Sequence, residues 1–111
     1  MSALYVMRYV GGTGNTGIGA IYIGKGTIVG IDVQNGRYHG TYTDHDGRVN
    51  ATVTLSKAEG GPLVTGLQVA PGTAIPLTAD WPSDFASGKP QRIMVQGRPV
   101  QVTFEKIGDV P

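Results

Sequence analysis

The stretch GIGAIYIGKGTIVGIDVQNGRYHGTYTDHD, residues 17–46, decides the fold. Between its glycines stand Ile, Val, Thr and Tyr, whose branched or aromatic side chains suit a pleated surface and sit poorly in a helix. Lys25-Gly26 and Gln34-Asn35-Gly36 break the apolar runs with residues that tolerate positive φ, so the stretch reads as strands at 17–24, 27–33 and 37–44. Asp46-Gly47 then suits a type I′ turn, in which both central positions need positive φ.

The same reading extends outward. Residues 3–10 (ALYVMRYV) form a strand ahead of the GGTGN turn, and 48–56 alternate, with Val49, Ala51, Val53 and Leu55 on one face and Arg48, Asn50, Thr52 and Thr54 on the other. After the KAEGGP turn at 57–62, LVTGLQVA (63–70) reads as a strand or an ordered crossing loop, and TAIPLTA (73–79) as a strand broken by Pro76, which lacks a ladder donor. Asp80 or Ser83 can cap one short helix over 81–88, ended by Gly88 and Pro90. Residues 91–97 and 99–106 close the chain as a hairpin around Gly97-Arg98-Pro99. About eight short strands predict an all-β domain over 1–111, an antiparallel up-and-down barrel in preference to a sandwich because closure removes exposed edges.

Composition narrows the chemistry. With 111 residues there is room for one core and no separate catalytic domain. Cys is absent, which excludes disulfides, thiolate metal sites and cysteine nucleophiles. A formal charge of +1 without Lys/Arg clusters argues against direct nucleic-acid binding. No apolar run is long enough for a membrane helix, and Met1-Ser2-Ala3-Leu4-Tyr5 enters the first strand without the features of a signal peptide, so a cytoplasmic location is expected.

Candidate motifs meet plainer explanations. Gly12-Thr13-Gly14-Asn15-Thr16-Gly17, with Asp32 downstream, matches a dinucleotide-binding spacing, but a β-pattern follows where that motif needs a helix to face the pyrophosphate. His39, Asp44, His45 and Asp46 could face a cation, yet turn chemistry already accounts for 44–47. Ser56, Ser83 and Ser87 lie in no nucleophile elbow, and Asp32, Glu59, Asp80, Asp84, Glu105 and Asp109 form no acid–base pair. Trp81 and the five tyrosines read as core or rim packing before they read as a pocket. The expectation is a non-enzyme with no metal and no cofactor.

The succession Gly17-Ile18-Gly19, then Gly26-Thr27-Ile28-Val29-Gly30-Ile31-Asp32, then Tyr38-His39-Gly40-Thr41-Tyr42 resembles the GrlR-type negative regulators of type III secretion, densely over 17–46 and more loosely elsewhere. That resemblance implies a small cytoplasmic bacterial protein with a calycin-like barrel, an apolar interior and a dimeric state. It also implies an acidic surface loop that holds a transcriptional activator. The loop's counterpart here is Thr43-Asp44-His45-Asp46, which keeps carboxylates only at Asp44 and Asp46, and these with His45 are the candidate partner-binding residues. Gly17, Gly19, Gly30, Asp32, Tyr38 and Gly40 are read as a fold signature, glycines for close strand approach and Asp32 for turn backbone groups. Two functions follow: a non-catalytic regulator that binds a partner protein, or a barrel enclosing one small apolar, lipid-like ligand. A homodimer is expected, its contact avoiding the Asp44-His45-Asp46 turn, where a two-fold axis would bring like charges together.

Overall fold

The computed structural model describes residues 2–12 and 14–111. Met1 and Thr13 of the glycine-rich hexapeptide lie outside the described residues. Ten β-segments follow in order: β1 (Ser2–Gly11), β2 (Thr16–Gly24), β3 (Thr27–Asp32), β4 (Arg37–His45), β5 (Arg48–Lys57), β6 (Gly61–Pro62), β7 (Gln68–Val69), β8 (Thr73–Pro82), β9 (Gln91–Val95) and β10 (Arg98–Asp109). Among the described residues, eight of these close an antiparallel barrel in the order β1-β10-β9-β8-β5-β4-β3-β2, while β6 and β7 pair with each other. The barrel expected from the sequence is therefore present.

Turn chemistry sets the register. Lys25-Gly26 (φ 53° and 78°), Asp46-Gly47 (53° and 75°) and Gln96-Gly97 (50° and 78°) each join neighbouring strands with two left-handed residues. This twist matches that of the strands they connect. The last turn falls one residue earlier than expected, so Arg98 and Pro99 already belong to β10, with Pro99 opposite Met94.

Alternation then fills the interior. Tyr5, Met7, Ile21, Ile23, Ile28, Val49, Leu55, Ile75, Leu77, Trp81, Val100, Val102 and Phe104 are buried. The signature glycines Gly17, Gly19, Gly30 and Gly40 face inward with them, opposite Tyr9, Met7, Ile21 and Ile28 respectively. Two show why glycine stands there: the Tyr9 ring lies over Gly17, and a Cβ at Gly40 would collide with the Thr52 carbonyl of β5.

Two expectations need correction. No helix forms over 81–88: β8 runs to Pro82, and 83–88 are turns with a Ser87 N–H to Asp84 carbonyl bond of 3.1 Å. Phe85, 1% exposed, is drawn into the barrel end against Trp81 and Phe104, and a segment this short cannot repay helix nucleation. Pro76 does not break its strand, because β8 is paired there with β5 alone; pairing to β9 covers only Leu77–Ala79. Of the alternatives at 63–70 the crossing loop prevails, with only Gln68–Val69 (β7) paired, to Gly61–Pro62 (β6): residues 58–72 form a strap over one end of the barrel, and its own Leu63 and Thr65 are buried.

Candidate functional site

At the strapped end, residues of β1, β3, β4, β5, β8, β9 and β10 surround one cavity that Asp32 borders. The Asp32 carboxylate closes the β3–β4 turn: Oδ1 accepts the Gln34 and Gly36 amides at 2.9 and 2.8 Å, and Oδ2 accepts the Tyr38 hydroxyl at 2.7 Å. The Asp32 amide donates to the Gly36 carbonyl at 2.9 Å, and Asn35 sits at φ 64°. Asp32 is thus held by its own turn. Tyr9, from β1, reaches the same carboxylate and Tyr38. Below them lies this cavity, of about 60 Å³ with largely apolar walls, bordered also by Lys57 and Thr65.

Burial pushes the Tyr38 phenol far above its ordinary value of 10.0, reinforced by the neighbouring Tyr9 and the Asp32 carboxylate. Tyr9 is raised for the same leading reason, then by Asp32, and Tyr5 by burial. A phenol whose folded pKa lies above its unfolded one favours the folded state fully below pH 10.0, and that contribution is lost as the pH rises beyond it. An alkaline titration followed at the tyrosinate absorbance is expected to ionise Tyr5, Tyr9 and Tyr38 only as circular dichroism reports unfolding. Ionisation of these three ahead of unfolding would contradict the buried cluster.

At the opposite end, Asp44, His45 and Asp46 come together on the β4–β5 tip. Ser83 donates its hydroxyl to Asp44 Oδ1 at 2.8 Å and its amide to the Gly47 carbonyl at 2.9 Å, tying the tip to the 83–88 turns. His45 Nε2 lies 3.1 Å from Asp46 Oδ2, both side chains over four-fifths exposed. His39 is elsewhere, exposed on the outside of β4 opposite Val29. Among the described residues no group of three His or acidic side chains is placed to hold a metal ion.

The sequence reading passed over one surface. On the outside of β1–β3, the register aligns Leu4 with Tyr22 and Val29, then Val6 with Ala20 and Ile31, and the Val33 amide reaches the Ile18 carbonyl. Leu4, Ile18, Val29, Ile31 and Val33 are all exposed, Val33 to 71%. The signal was available: β2 and β3 are apolar on both faces, whereas β5 alternates cleanly with polar residues.

No family model matches the chain, and no curated protein matches it.

Proposed function

We propose that the chain is a non-catalytic, homodimeric regulatory protein that binds a partner protein, in the manner of the negative regulators of type III secretion it resembles at 17–46. The observation that carries this reading is the exposed apolar face of β1–β3, since contiguous outward apolar residues on a small domain mark association surfaces. We assign that face to a second copy of the chain. On the β10 side of this face Arg8 is paired to Glu105 at 3.1 Å, so neither charge meets a two-fold contact there uncompensated. Across such a dimer the Asp44-His45-Asp46 tip stays free for a partner bearing basic groups.

The interior supports this choice over a lipid carrier. Phe85 and Phe104 fill one end, and a cavity of about 60 Å³ at the other is well under half of the roughly 150 Å³ that holds a benzene. A lipid-sized ligand would have to displace the core.

Replacing both Asp44 and Asp46 by Asn is expected to leave the dimer intact and to weaken capture of the partner from the native cytoplasm several-fold, most at low salt where exposed charges are least screened. Binding and salt dependence equal to those of the unaltered protein would remove the tip from the interface.

A further inference from the structure

β5 ends in a cation that the fold does not use up. Lys57 follows Val53 and Leu55 on the inward side and is only 6% exposed. Its ammonium donates to the Pro62 carbonyl at 2.9 Å, and it enters none of the ion pairs among the described residues. Among the described residues this is its one hydrogen bond, which leaves two of its three donors for another acceptor. Thr65, 3% exposed, borders the same cavity; its Oγ1 accepts a long contact from the Leu67 amide at 3.5 Å and keeps its own proton to donate.

Asp32, the one carboxylate among the lining residues, already holds two backbone amides and the Tyr38 hydroxyl. The remaining walls include Met7, Leu55, Leu77, Val95 and Val100. Spare donors over apolar walls fit a molecule with an anionic head and a short hydrocarbon body. The strap turns through Gly60 (φ 68°), Gly61 (116°) and Gly72 (77°) near its two ends, and Lys57 also borders an outer groove of about 210 Å³ beside Gln34, Arg37 and Glu59.

We infer that the strapped end of the barrel is a binding site for a short-chain monocarboxylate. The carboxylate lies on Lys57 Nζ and Thr65 Oγ1, and the alkyl chain enters the cavity. Scaled against the roughly 150 Å³ that holds the six carbons of benzene, about 60 Å³ limits that chain to about two or three carbons beyond the carboxylate, the alkyl part of butyrate. This site is independent of the outer face and the tip.

The test titrates the full-length chain with sodium butyrate, reading the melting temperature and the backbone amide spectrum, against sodium chloride at equal ionic strength, 1-butanol and butylammonium. Butyrate is expected to raise the melting temperature saturably and to shift amides in 58–72, with the other three solutes inert. Lys57→Gln should weaken butyrate about tenfold or more, as loss of a charge-assisted bond does, while Arg37→Gln changes it less than about twofold. Thr65→Val, which keeps the ammonium, is the second variant and should weaken binding about three-fold or more. Absence of a saturable butyrate response, an equal response to butylammonium, or unchanged affinity in Lys57→Gln or in Thr65→Val would overturn the proposal.

Discussion

Replacing Phe104 by alanine is expected to lower stability by about 3–5 kcal/mol, the range for deleting a buried aromatic ring. The ring is 1% exposed and sits at the centre of four aromatics, 4.8 Å from Trp81, 5.2 Å from Phe85 and 6.3 Å from Tyr5 between centroids. Trp81 is kept from swinging into the gap by its Nε1–H donating to the Arg92 carbonyl at 3.1 Å. For a domain whose total stability is about 5–15 kcal/mol, this loss approaches unfolding. Urea denaturation of Phe104→Ala and Phe104→Leu gives the check, the leucine variant losing well under half as much. A loss below about 1 kcal/mol in the alanine variant would mean that the aromatic plug is not packed as described.

Asp32→Ala should cost about 2–4 kcal/mol, though it removes no core volume. Three donors lose their acceptor together, and two of them, the amide of buried Gly36 and the hydroxyl of Tyr38, are shielded from water that could replace it. Asp32→Asn keeps one acceptor oxygen and should cost about half as much. Equal stabilities of the aspartate and alanine forms in chemical denaturation would show the turn to be held by something else.

These two positions also mark what the sequence could and could not disclose. Lys25-Gly26 and Asp46-Gly47 declare their turns because few residue pairs accept two positive φ values, and the alternation over 48–56 declares its wet and dry faces. Asp32 was legible as a turn residue, since its partners lie within six positions. Tyr9 was not, since it reaches Asp32 only after the barrel brings β1 beside the β3–β4 turn. The expected helix at 81–88 failed for a related reason: capping and breaker residues were present, but the burial of Phe85 belongs to tertiary structure. Lys57 stood in a run that reads as a polar loop, and nothing local predicts that the strap will fold over it.

Multi-angle light scattering on the unaltered protein and on Ile31→Glu tests the proposed association through the outer face of β1–β3. Ile31 is exposed at the middle of that face, opposite Ala20, so a glutamate there leaves the core untouched and places a charge in the proposed contact. The unaltered chain is expected at twice its 11.6 kDa mass and the variant at 11.6 kDa, with superimposable circular dichroism. An unaltered protein of 11.6 kDa in solution, or an Ile31→Glu variant that stays dimeric, would rule out pairing through this face.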